Sequence, residues 1–250
     1  MTRVDAYRAQ LRALEIWDAW LQQESGLPGP RANLELLAAV AEVGGEPFFQ
    51  HCLALDTPPA PADTPQAFLV ICGIVGCGRL LASGRVDLLP ILHTYASDQR
   101  WRMREGVVIA LQYLGAADMP ALLDLIEPWS RGNPFEQRAA AAALCEPKLL
   151  TDAADVERVL AILDSITRAI GEVADRKGEA FKALRKGLGY CWSVAVVAAP
   201  GQGKRAMERW LTSPDPDIRW IMRENLTKNR LLRLDAAWVA RAQAQQASAR

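Results

Sequence analysis

The chain lacks nearly every residue pattern that announces a chemistry. Its two histidines, His51 beside Cys52 and His93 alone, make no metal-ligand set. It has no HExxH, no nucleophile elbow and no Ser/His/Asp signature. The five cysteines are odd in number and contain no CxxC pair, so neither a zinc site nor a disulfide framework is expected. Charge of one sign is missing too, with 29 basic against 29 acidic residues. That excludes a surface that grips nucleic acid or anionic lipid all over, and leaves room only for a local basic groove. The most apolar run, Ala67 to Cys77, is too short to cross a bilayer and reads as a buried helix. The opening Met1–Asp5 has no apolar core of a signal peptide. The expectation is a cytoplasmic protein with no membrane partner, no cofactor, no metal and no catalytic set.

What is present is helix punctuation. Val4, Tyr7, Leu11, Leu14, Trp17 and Leu21 recur at three- and four-residue steps, which predicts one amphipathic helix over 4–23. Thr64 before Pro65, Asp118 before Pro120, and Asn133-Pro134-Phe135-Glu136 read as N-caps with proline in the first turn. Gly44-Gly45, Ser83-Gly84 and Pro200-Gly201 read as stops. Asp235 predicts the cap of a final helix that frays over 243–250. No strand is expected. Gly73, Gly76 and Gly78 do not follow the GxGxxG order and read as close helix packing. Gly201-Gln202-Gly203-Lys204 lacks the first Gly and the final Ser/Thr of a phosphate loop, and follows a helix rather than a strand.

The helices that follow a turn begin near Arg31, Pro65, Gln99, Pro134, Gly178 and Pro216. The steps are 34, 34, 35, 44 and 38 residues, a spacing that reads as stacked helix pairs. One eight-residue stretch occurs twice in this setting. Asp98-Gln99-Arg100-Trp101-Arg102-Met103-Arg104-Glu105 returns as Asp217-Ile218-Arg219-Trp220-Ile221-Met222-Arg223-Glu224, a D-x-R-W-x-M-R-E pattern. A second alignment competes with it. Tyr95, Trp129 and Trp210 each close a first helix, and Arg104, Arg138 and Arg219 each lie nine residues further on. The first register pairs Arg104 with Arg223, the second with Arg219. They differ by four residues, about one helical turn.

These turns and helix starts resemble HEAT repeats, in which an Asp-bearing turn precedes an apolar-Arg pair. Ser213-Pro214-Asp215-Pro216-Asp217-Ile218-Arg219 with Leu226 carries the likeness, as do Ser97-Asp98 with Met103-Arg104, Val107 and Leu111. Gly132-Asn133-Pro134 with Arg138, Ala141 and Leu144 fits without the Asp. The likeness covers about 85–231. It implies an all-α, right-handed α-solenoid of about five or six helix pairs as a single domain: a capping helix over 1–30, stacked pairs over 31–231 and a C-terminal cap over 232–250. Met103, Val107, Leu111, Ala141, Leu144, Met222 and Leu226 are the expected core.

The resemblance also implies that second helices line a concave binding face. Trp101, Arg104, Glu105, Arg138, Arg219, Trp220, Arg223 and Glu224 are then the candidate binding residues. An Arg, a Glu and a Trp side by side suit a peptide carboxylate or a phosphate, and the partner expected is a protein or peptide. The bland alternative is an inter-repeat ladder in which turn aspartates bond these arginines. Some DNA alkylpurine glycosylases are built from HEAT-like repeats, and the Trp-x-x-x-Glu spacing is similar to their aromatic and acidic pair. Here the acid is Glu where that family uses Asp, and the neutral chain disfavours a nucleic-acid partner.

Overall fold

The computed structural model describes residues 2–248. It is all α-helix with short 3-10 turns, and no strand occurs among the described residues. The chain groups into two compact units, 1–117 and 118–250.

The first unit holds α1 (Arg3–Ala13), α2 (Asp18–Glu24), α3 (Leu34–Val43), α4 (Glu46–Ala54), α5 (Pro65–Leu81), α6 (Leu89–Ala96) and α7 (Trp101–Ala117). The single helix expected over 4–23 is two helices. Leu14 turns extended, with φ −93° and ψ 135°, and the Trp17 indole donates to its carbonyl at 3.2 Å. Trp17 then packs its ring 4.7 Å from Phe48, so tertiary contact overrides an unbroken periodic pattern. The centre of the unit is α5, buried on every side from Ala67 to Gly78. Its glycines let neighbours close in. A Cβ at Gly76 would lie 2.1 Å from the Phe49 ring on α4, and one at Gly78 would lie 2.3 Å from the Ala110 Cα on α7. Gly106 of α7 faces Ile71 and Ile74 of α5, while Gly78 faces Ala110, so the two helices run parallel.

The second unit holds α8 (Met119–Ile126), α9 (Pro134–Leu144), α10 (Ala153–Ala169), α11 (Glu179–Ala198), α12 (Pro200–Glu208), α13 (Pro216–Leu226) and α14 (Asn229–Ser248). Here α11 is central, packed against α9, α10, α12, α13 and α14. Cys191 lies against Ala141 of α9 and Gly187 against Arg138, so positions on α9 and α11 advance together. Gly189 meets Trp220 of α13 and Ser193 bonds Asn225, again in step. The three helices α9, α11 and α13 therefore run parallel, side by side. Gly203 sits inside α12, where a Cβ would come 2.6 Å from the Val196 Cα, so the glycine of the loop-like stretch serves helix packing. Of the tail expected to fray over 243–250, residues 243–248 are helical and 249–250 lie outside the described residues; Gln246 is buried with its amide on the Arg219 carbonyl at 2.8 Å. Asp235 interrupts α14 and caps its second segment, accepting the Trp238 N–H at 2.9 Å.

All seven expected core residues are buried. The five cysteines are buried free thiols, and burial pushes Cys52 up to about 12 and Cys77 up to about 11.

Candidate functional site

The helices predicted to follow a turn begin at Leu34, Pro65, Trp101, Pro134, Glu179 and Pro216, within three residues of the expected starts. Each start fixes what its arginine does. Arg104 and Arg219 both occupy the fourth helical position of their helix. Arg104 is buried, and its Nη1 donates to the carbonyls of Asp98 and Gln99, the latter at 2.9 Å. Arg219 Nη1 donates to the carbonyls of Ser213 and Pro214 at 2.7 and 2.8 Å. The same two offsets recur, so Arg104 is the counterpart of Arg219 and not of Arg223. The two D-x-R-W-x-M-R-E stretches sit four residues out of step relative to their helix starts. In α9 the fourth position is Gln137, not Arg138, and its amide donates to the Ser130 carbonyl at 3.3 Å.

The register separates the two tryptophans. Trp101 is the first residue of α7, 44% exposed, with the Arg102 guanidinium 4.3 Å from its ring centre. Arg102 is itself buried, anchored to the Gly29 carbonyl at 2.6 Å and to Asp63. Trp220 is the fifth residue of α13 and lies against Gly189 of α11. Arg185 stacks on its ring at 3.7 Å. Glu105 is half-buried, and Glu224 pairs with Lys228 at 3.4 Å. Trp101 with Glu105 and Trp220 with Glu224 are therefore two different environments rather than a repeated site.

Arginine–aspartate clusters tie the turns together in each unit. Arg100 bonds Asp56 at 2.6 and 2.7 Å and Asp98 at 2.6 Å, which pushes its guanidinium pKa up. The Tyr95 hydroxyl donates to Asp56 at 3.0 Å, and burial, reinforced by that carboxylate, pushes the phenol up. In the second unit Arg176 pairs with Asp215 at 2.7 Å and Asp217 at 3.1 Å, and Arg185 pairs with Asp217 at 2.7 Å. Burial alone would raise the Asp215 carboxyl. The Arg176 hydrogen bond and the N–H groups of Ile218 and Asp217 outweigh it and hold the pKa below its usual value. The aspartates of the turns thus form the ladder, but through Arg100, Arg176 and Arg185. Arg104 and Arg219 bind turn carbonyls.

One face of the second unit gathers several cations around an exposed aromatic ring, with Lys182 paired to Glu179 at 2.8 Å. Lys182, Lys186, Tyr190 and Arg223 are exposed; Arg138, Trp220 and Glu224 are half-buried beside them. Arg230 bonds the Tyr190 hydroxyl at 2.5 Å and stacks on its ring at 4.3 Å. Composition hides this face, because charge is uneven along the chain. Residues 1–117 carry 9 basic against 12 acidic side chains, and residues 118–250 carry 20 against 17. Asn225 is a further residue missed by motif reading. It is fully buried, accepting the Ser193 N–H at 2.7 Å and donating to the Leu188 carbonyl at 2.8 Å. A polar residue between Met222 and Leu226 on an apolar stripe was the available signal.

No group of three His, Cys, Asp or Glu side chains among the described residues is placed to hold a metal ion. No helix of the described chain is long and apolar enough to cross a membrane. No protein-family model matches the chain, and no curated protein matches it.

Proposed function

We propose that this chain is a right-handed HEAT-like α-solenoid that acts as a non-catalytic scaffold, binding a protein or peptide along its second helices. The observation that carries the reading is the parallel row α9, α11 and α13. It presents Lys182, Lys186, Tyr190 and Arg223 outward while its inner side is fully packed. Repeat architectures use such rows as extended binding surfaces. Five buried free thiols fit a reducing, cytoplasmic setting. Of the original candidates, Arg223, Arg138, Trp220 and Glu224 belong to this face, and Trp101 with Glu105 belongs to the exposed side of α7. Arg104 and Arg219 act as turn supports.

The test is a photo-crosslinking amino acid placed singly at Lys186, Tyr190 or Arg223, with Ala161 on α10 as the off-face position. The expected result is one discrete polypeptide adduct from the three face positions and none from Ala161. Adducts from Ala161 alone, or from no position, would overturn the reading. A nucleic-acid partner is the second reading, favoured by the basic excess of residues 118–250. Its glycosylase form needs an aromatic ring open to a base, and Trp220 is covered by Arg185 and Gly189.

A further inference from the structure

Where α14 folds back on α13, a cavity of about 180 Å³ is lined by Arg219, Arg223, Gln243, Gln246 and Ala247. No carboxylate of the described residues lines it. Arg219 and Arg223 stand one turn apart on the same helix, a like-charge spacing that is unfavourable unless something negative lies between. Neither guanidinium has an ion pair with a described acidic residue: Arg219 is held by two carbonyls, and Arg223 is exposed. The carbonyl bonds fix Arg219 through Nη1 and leave its other N–H groups for a ligand. Gln246 is 7% exposed and anchored by Nε2 to the Arg219 carbonyl, so this wall of the cavity is fixed in place. Gln243 is exposed one turn away and adds a neutral donor.

We propose that this cavity is a binding site for an oxyanion, a phosphate or carboxylate group held between Arg219 and Arg223 with Gln243 as a neutral hydrogen-bond donor. Paired guanidinium forks match the geometry of such groups. The inference goes beyond the binding of a polypeptide on the α9–α11–α13 face: Arg223 borders both, whereas Arg219, Gln243 and Gln246 line the cavity and not that face.

The experiment is a titration of the full chain with inorganic phosphate, and separately with acetate, followed by proton–nitrogen correlation spectra that include side-chain amide and guanidinium signals. Ionic strength is held constant with chloride. The expected result is a saturating shift at millimolar phosphate, confined to Arg219, Arg223, Gln243 and Gln246. Arg223→Gln should weaken it at least tenfold, and Lys186→Gln, on the neighbouring face, should leave it unchanged. Arg219→Lys keeps the charge but loses the fork, and should weaken it several-fold in a chain that still folds. Saturation by phosphate alone assigns a phosphate ligand, and saturation by acetate at lower concentration than by phosphate assigns a carboxylate-bearing one. Shifts spread over many lysines and arginines without saturation, or binding unchanged in Arg223→Gln, would overturn the site.

Discussion

At the scale of single residues, identical letters perform different tasks, and their replacement should show it. Arg104 and Arg223 occupy the same place in the repeated eight-residue stretch. Arg104 is buried and bonds two turn carbonyls, whereas Arg223 is exposed. Arg104→Met should lower the unfolding free energy by about 2–3 kcal/mol, because it removes charge-assisted bonds and leaves two carbonyls short of a donor. Arg223→Ala should stay within about 0.5 kcal/mol of wild type. Urea melts of the two variants check this, and equal losses would restore the first register. Asp215 gives a pH test. Its folded carboxyl pKa is depressed, so its stabilisation is present above the unfolded value of about 4 and is lost as pH falls through the folded value. Asp215→Asn keeps an N-cap acceptor but removes the charge that Arg176 binds. It should cost about 1–2 kcal/mol at pH 7, discounted for the partial exposure of Arg176, and the gap to wild type should close as pH drops below about 4. A gap independent of pH would mean that the ion pair contributes nothing.

At the scale of elements, proline and capping chemistry were legible, and broken periodicity was not. Thr64-Pro65, Asn133-Pro134 and Asp215-Pro216 mark helix starts to the residue, because a side-chain acceptor and a fixed φ act locally. The break at Leu14 was hidden, since it is set by Trp17 meeting Phe48 from a distant segment. The register of the arginines was hidden too. A four-residue shift keeps the same helix face, and only the helix start decides which arginine reaches the turn. The docked end of α14 had no signal, because its Gln-Ala composition reads as a frayed tail. The apolar stripes, by contrast, were sound. Leu111→Ala and Leu226→Ala should each cost about 2–5 kcal/mol, since both side chains are fully buried. Gly78→Ala tests the closest helix approach. Its new Cβ would press 2.3 Å from the backbone of Ala110, so α5 and α7 must move apart. The expected loss is about 1–3 kcal/mol, from overpacking against backbone that cannot rotate away. Thermal melts that leave Gly78→Ala unchanged would mean that the helices are not seated this closely.

At the scale of the whole molecule, zero net charge conceals an uneven distribution. Twenty basic side chains fall after residue 117 and only nine before it, so one unit presents an excess that the total conceals. The decisive question is how much of that excess is already neutralised. Arg176 and Arg185 are paired to Asp215 and Asp217, and Arg209 and Arg168 share Asp164. Lys204 and Lys228 are paired to Asp235 and Glu224. A cation already bound to a carboxylate must give up that partner to neutralise a phosphate, so it displaces few of the duplex's condensed counterions and adds little to the salt-dependent part of binding. On the α9–α11–α13 row, Lys186 and Arg223 are exposed cations with no ion pair to a described acid, and the other exposed cations of the unit without one, Lys148, Lys177, Arg205, Arg233 and Arg241, lie on other segments, so the row by itself offers no long backbone-tracking groove. A labelled DNA duplex titrated at low and moderate salt should therefore bind weakly, with a slope of log affinity against log salt near that of about two phosphate contacts. Arg104→Ala should leave the slope unchanged, because that guanidinium is buried on carbonyls. Arg223→Ala should reduce the slope by about one. Tight binding at moderate salt, with a slope of six or more, would transfer the face from polypeptide partners to nucleic acid.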